Sequence, residues 1–476
     1  MLHVDDVRIG SMPTLHIYEP PWDALGYINS SVSRAVAAVY AEVMVAPVDT
    51  RFSYVGASTA IFNELPRLFP AAPAASADLF LLPLHPWALC FANDVVVGQR
   101  HKDRHGIHQK LHWDRAQPPA VERQMDSLRY SQRVRMLQTG QWPRSGIFNH
   151  THGVLSADRG GHTCPMYERA MAHVFAGASW KAAPSRHIWV FEFPHLLRSA
   201  AVTERSRLAR DDRSNAARAG MGILLTQEDR MGDFRSAVAR REVILVPFDA
   251  PAFFSFDATA VDDVRAHKTT LVAESSGAGV SCHRFDRFPS SAFACKDPAL
   301  VHPGPVRAAS ARAVRDLEGG VVFSPSNRAS HYGESSLVRK AALYNRSTFC
   351  VLVPGDSAMT PRLFSFTAAA CIPVLTISVD FLPFRSIVPW ANISVSVSAK
   401  ALLAYHAAAR ANASKLPANP LAFLAEMSDE RIRRMQEQLL HYRWAMAYRR
   451  PAAPSAVHSI AQELQEHVSQ NPVRQS

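Results

Sequence analysis

The stretch Ser347-Thr-Phe-Cys-Val-Leu-Val-Pro-Gly-Asp-Ser357, continuing through Arg362-Leu-Phe364 to Ala370-Cys-Ile-Pro-Val374 and Phe381-Leu-Pro-Phe384, decides the fold class of this chain. Read as a pattern, it is a buried apolar strand, a Gly-Asp-Ser loop, a helix that opens near Arg362 and a second apolar strand. Together these form a βαβ unit, and the exposed N–H groups at the start of its helix can hold a phosphate.

The same alternation continues outward from this unit. Upstream lie Lys268-Thr-Thr-Leu-Val-Ala273, Gly320-Val-Val-Phe323 and a helical pattern from Tyr332 to Tyr344. Downstream lies Ile393-Ser-Val-Ser-Val397, and helical patterns then run from 399 to 449. An earlier series opens with His16-Ile-Tyr18 ahead of Pro20-Pro21. It continues with Ala77-Asp-Leu-Phe-Leu-Leu-Pro83, Gly146-Ile-Phe-Asn149, His187-Ile-Trp-Val-Phe191 and Val243-Ile-Leu-Val-Pro247, with helical patterns such as 120–136 between most of them. Apolar runs of this kind are typical of parallel strands buried on both faces. The chain leaves the first series near Phe248-Asp-Ala-Pro251. The expected architecture is α/β, with two doubly wound Rossmann-like domains over 1–255 and 256–450. The Pro/Ala-rich tail, 451–476, packs loosely or returns to the first domain.

Composition narrows the function classes. An apolar fraction of 47% and a charged fraction of 20% are those of a globular protein. The net charge of +11 suits an anionic partner, whether a nucleotide diphosphate, an acidic polysaccharide or a membrane surface. The positive charge is spread through Arg-rich helical stretches such as 205–218 and 431–450, without the aromatic interleaving of a nucleic-acid module, so nucleic acid is not an expected partner. There is no apolar run of about 18 residues and no signal-peptide core at Met1-Leu-His-Val-Asp-Asp6. Either the protein is soluble or its targeting segment lies outside this sequence.

Six cysteines are too sparse for a disulfide scaffold, and no Cys-x-x-Cys pair suggests structural zinc. Cys350 and Cys371 lie on consecutive strands of one βαβ unit, within reach of a disulfide. Cys282 and Cys295 bracket a loop and are a second candidate pair; in a cytosolic setting all six would be reduced core residues. His101, His105, His108 and His112 have a spacing that stacks imidazoles on one helix face, but Gly106 and the surrounding charges favour a surface loop, and no metal site is assigned.

Taken in order, Ser347, Phe349-Cys350, Gly355-Asp356-Ser357, Arg362-Leu363-Phe364, Ala370-Cys-Ile-Pro-Val374, Leu382-Pro-Phe384 and Trp390 resemble the exostosin family of glycosyltransferases. Weaker echoes lie upstream at Ile17-Tyr18, Ala77–Pro83, Arg144-Ser-Gly146 leading to His150-Thr-His-Gly153, and Val243–Asp249. The resemblance implies a GT-B fold, two domains facing a cleft. It also implies transfer of a sugar from a UDP-linked donor to a growing glycan with inversion, and no Asp-x-Asp metal motif or other required cofactor. The family has cysteines at both 350 and 371. It places the work in the Golgi or secretory pathway, and a homo- or hetero-oligomer is compatible with it.

On this reading Arg362, with Gly355 and Ser357, holds the donor diphosphate, and Asp356 serves as a cap. A base for the acceptor hydroxyl is expected from the first domain, with His152 the first candidate and Asp249 and Glu192 alternatives. Three positions depart from the family pattern. Ser365 stands where the family has an acidic residue for the donor ribose, Ala370 replaces a glycine, and Ala273-Glu-Ser-Ser276 lacks an arginine. These departures motivate a second expectation, an inactive relative that binds or scaffolds glycan synthesis. A nucleotide-binding protein unrelated to glycans would fit the βαβ unit but not the order of motifs.

Overall fold

The computed structural model describes residues 12–25, 30–45, 53–85, 88–89, 92, 170, 173–191, 222–226, 243–247, 261–266, 268–274, 303–323, 334–353, 360–413, 415–448 and 455–471. They form two parallel α/β sheets of five strands each, the Rossmann-type make-up of GT-B proteins. By contacts the chain divides into unit 1, Met1–Thr226, Ser236–Ile244 and Ile460–Ser476, and unit 2, Gln227–Arg235 and Leu245–Ser459.

In unit 1 the strands β1 (Leu15–Ile17), β2 (Leu79–Leu81), β3 (His187–Phe191), β4 (Ile223–Thr226) and β5 (Val243–Leu245) lie in sequence order across the sheet. Helices α1 (Ser30–Val45) and α2 (Ser53–Leu68) connect β1 to β2, burying Val36, Val39, Ile61 and Leu65. Strand β4 was not among the expected strands; it is a four-residue run beside an arginine-rich stretch, too short to show a period. Gly222, at φ +83°, leads into it, and a Cβ there would meet the His187 carbonyl oxygen at 2.3 Å. Only glycine lets β4 approach β3 at this point. Helix α3 (Ala178–Ala182) packs Trp180 ahead of β3.

Unit 2 carries β6 (Thr270–Glu274), β7 (Gly320–Val322), β8 (Ser347–Leu352), β9 (Ile372–Leu375) and β10 (Val395–Ser396) in the spatial order β10-β9-β8-β6-β7. The helices before, between and after them are α4 (Val261–Ala266), α5 (Pro303–Arg315), α6 (Glu334–Arg346), α7 (Pro361–Ala368), α8 (Trp390–Ile393), α9 (Ala399–Arg410) and α10 (Asp429–Tyr442), and the last helix, α11 (Ala456–Gln470), belongs to unit 1 from Ile460 onward. The chain steps outward from β6 to β7 and then back across β6 to β8. Right-handed crossovers therefore place α5 and α6 on opposite faces. On one face Phe349, Val351, Ile372 and Val374 pack with Val306 and Val314 of α5, Leu402 of α9 and Met435 of α10. Alternation sends Cys350 and Leu352 to the other face, towards α6 and α7.

Several residues of the quoted motifs turn out to hold this scaffold together. The buried Ser347 hydroxyl donates to Leu343 O at 2.7 Å and closes the end of α6. The Trp390 indole N–H donates to Pro383 O at 2.7 Å, pinning the Leu382-Pro-Phe384 turn, where Phe384 has φ +52°.

Helix α7 ends in a Schellman motif, with Cys371 N–H bonded to Phe366 O at 2.9 Å and Ala370 N–H to Thr367 O at 3.1 Å. Ala370 consequently sits at φ +49°, the left-handed conformation that explains a glycine at this position in the family pattern. Ala370→Gly relieves that strain, about 1–2 kcal/mol, against the extra chain entropy of glycine, and should raise stability by roughly 0.5–1 kcal/mol. Thermal unfolding of the variant tests this; a lower midpoint would show that the Ala370 methyl contributes more through packing than it costs in conformation.

Candidate donor-binding site

The reversal of strand order in unit 2 falls between β6 and β8, and ligands of open parallel sheets bind outside the carboxyl ends of the strands at that point. Strand β8 reaches that edge at Leu352 and Val353, and the chain re-enters the described structure at Thr360, the N-cap of α7. Gly355, Asp356 and Ser357 lie between these two anchors, outside the described residues. Thr360 caps α7 by accepting from Arg362 N–H at 3.2 Å, and Pro361 at the first helical position needs no acceptor for a missing N–H.

Arg362 ties the two anchors together. Its Nη2 donates to Val353 O at 2.8 Å and its Nε lies 3.4 Å from Thr360 Oγ1. The side chain is half-buried, not the solvated arginine that a helix start commonly carries. These bonds use part of a fork of five N–H groups, so the remaining donors and the whole charge stay at the strand edge. A second cation stands by: burial lowers the pKa of Lys340 in α6, and the Arg362 guanidinium lowers it further.

The two ends of α7 are treated differently. At the C-terminal end the Lys268 ammonium donates to Ala369 O at 3.1 Å and to Tyr344 O of α6 at 3.3 Å, and Arg443 Nη1 reaches Ala368 O at 3.4 Å. Cations there match the negative end of the helix macrodipole, although burial pushes Lys268 down to about 7. At the N-terminal end no acidic residue occupies the first turn. The positive helix end and Arg362 therefore add up at the strand edge, with Lys340 of α6 near enough to feel the Arg362 charge.

Ser365 lies one turn beyond Arg362 and is buried, 5% exposed, so a carboxylate at this position would be enclosed with Arg362 three residues away. Cys350 and Cys371 form a disulfide with a Cα–Cα distance of 5.8 Å, linking β8 to the residue that precedes β9. His152, Asp249, Glu192, Cys282, Cys295, Ser276 and the histidines at 101–112 lie outside the described residues. Lys340 and Lys268 were not picked out from the sequence as site or capping residues. Each is one lysine in a helical or strand-flanking pattern, and only the packing of α6, α7 and β6 gives it a role.

Among the described residues, no helix is long and apolar enough to cross a membrane. No curated protein matches the chain. Residues 320–411, from β7 through α9, match the family model of the Exostosin GT47 domain. The matched segment contains β8, the Arg362 helix start, the disulfide and the Trp390-pinned turn, so this part of the chain is similar to the exostosin GT47 domain, that of a glycosyltransferase family.

Proposed function

We propose that the chain transfers a sugar from a UDP-sugar to a glycan acceptor with inversion, and that the diphosphate is held at the start of α7. The observation that carries this reading is the one-sided charge of α7. Its C-terminal end is neutralised by Lys268 and Arg443, while its N-terminal end adds Arg362 and the neighbouring Lys340 to the helix dipole at the switch point of the sheet. When the anomeric C–O bond breaks, the electron pair moves to the departing diphosphate, and fixed cations at that spot stabilise the developing charge. Gly355 and Ser357 would bring backbone and hydroxyl to the same phosphates. His152 and Asp249 remain the candidates for accepting the acceptor proton, and no cofactor enters this scheme. The Cys350–Cys371 disulfide favours maturation in an oxidising compartment, such as the secretory pathway.

Ser365 favours a second reading, an inactive relative that binds glycan. A serine offers the donor ribose a neutral bond where a carboxylate would offer a charged one. Calorimetric titration with UDP separates the two. The wild type is expected to bind UDP, and Ser365→Glu to bind it roughly tenfold more tightly, the gain of one charge-assisted hydrogen bond. Absence of binding in both proteins would favour the glycan-binding reading.

A further inference from the structure

The first sheet carries a polar network embedded in aromatic rings. His16, Phe80 and His187 are in register across β1, β2 and β3, and therefore lie on one face of the sheet. His187 is 1% exposed, stacked on Phe80 at a centroid distance of 4.6 Å and met edge-on by Trp180 at 4.8 Å. Its Nδ1 lies 2.9 Å from Ala183 O. A carbonyl can only accept, so Nδ1 carries the proton and Nε2 presents a lone pair. The Tyr18 hydroxyl is 2.8 Å from that Nε2 and must donate to it.

Tyr18 follows β1 directly, at its carboxyl end, and its ring is half-buried. Ser179 also bonds its hydroxyl. The phenolic proton is committed to His187, so toward solvent the oxygen can act only as an acceptor. Burial pushes His187 down to about 4, which keeps the ring neutral and this polarity unchanged across physiological pH. Beside it, His16 is also half-buried and stands edge-on to Tyr18 at 5.2 Å. In the tautomer whose Nδ1–H donates to Ala72 O at 3.2 Å, His16 Nε2 is a second acceptor. Two oriented acceptors on aromatic rings at a strand end suit a ligand that has both hydroxyl donors and an apolar C–H face. A pyranose is such a ligand.

We propose that Tyr18, oriented by His187 and flanked by His16, is a sugar-binding point of unit 1 that accepts a hydrogen bond from a pyranose hydroxyl. If the chain is the transferase proposed above, this point holds the acceptor glycan. The contact itself does not depend on transfer.

Saturation-transfer NMR with the methyl β-glycosides of glucose, galactose, xylose, N-acetylglucosamine and glucuronic acid, each added to the full chain, tests this. At least one glycoside is expected to receive saturation from the wild type. Its affinity should fall roughly 3- to 10-fold in Tyr18→Phe, which loses one neutral hydrogen bond, and more than 10-fold in Tyr18→Ala, which loses the ring as well. UDP affinity, measured on the same samples, should not change in either variant. Tyr18→Phe should keep the wild-type unfolding temperature within a few degrees, which separates a lost contact from a lost fold. No saturation of any glycoside by the wild type, or equal affinity in Tyr18→Ala, would overturn the proposal. Glycoside binding without UDP binding would leave it standing while removing the transferase reading.

Discussion

Arg362→Ala is expected to abolish detectable UDP binding, a loss of roughly 30- to 1000-fold, or about 2–4 kcal/mol for a charge-assisted, partly desolvated phosphate contact. Two effects act in the same direction. The variant removes the principal cation at the start of α7, and it unties Val353 O from the Thr360 cap. Arg362→Lys should keep part of the affinity, because the charge survives while the planar fork that reaches both anchors does not. Thermal unfolding of Arg362→Ala should change little, since Thr360 still caps the helix through its bond to the backbone N–H of residue 362. Calorimetry on the three proteins decides it. Unchanged UDP affinity in Arg362→Ala would place the donor elsewhere.

Replacing both cysteines, Cys350→Ala with Cys371→Ala, should lower unfolding stability by about 3 kcal/mol, the loop-closure entropy of a link spanning 21 residues. The effect should appear in denaturant unfolding more than in UDP affinity. The ladder between β8 and β9, with Phe349 opposite Ile372 and Val351 opposite Val374, continues to hold the two strands in register. Reductant should reproduce most of the loss in the wild type and have no effect on the double variant. Peptide mapping under non-reducing conditions provides the direct check: two free thiols at 350 and 371 in protein secreted by a eukaryotic host would remove both the bridge and the argument for an oxidising compartment.

The centre of the second unit was legible in sequence because β8 and β9 are buried on both faces and therefore read as apolar runs; both strands fall within the two runs of the βαβ unit quoted at the outset. The family motifs were legible as well, although the sequence does not show why each residue is needed. Ser347 closes a helix, Trp390 pins a turn, and position 370 calls for glycine because the chain there turns through a positive φ. These are backbone requirements, which residue order reports only by analogy.

In the first unit, β3 was read with its observed bounds and β4 was not read at all, because four apolar residues carry no period and the glycine that admits the strand acts against a carbonyl on its neighbour. By itself the sequence determined the two-sheet α/β class, the βαβ unit with Arg362 at its helix start, and the exostosin resemblance of the 320–411 segment. Only the tertiary structure decided that Arg362 bridges Val353 and Thr360, that Lys268 and Arg443 neutralise the far end of the same helix, and that Tyr18 gives its proton to His187. The partners in these contacts lie up to 169 residues apart, and no local pattern encodes which strands become neighbours. Strand order and crossover hand bring the groups together, and hydrogen-bond geometry then assigns each its role.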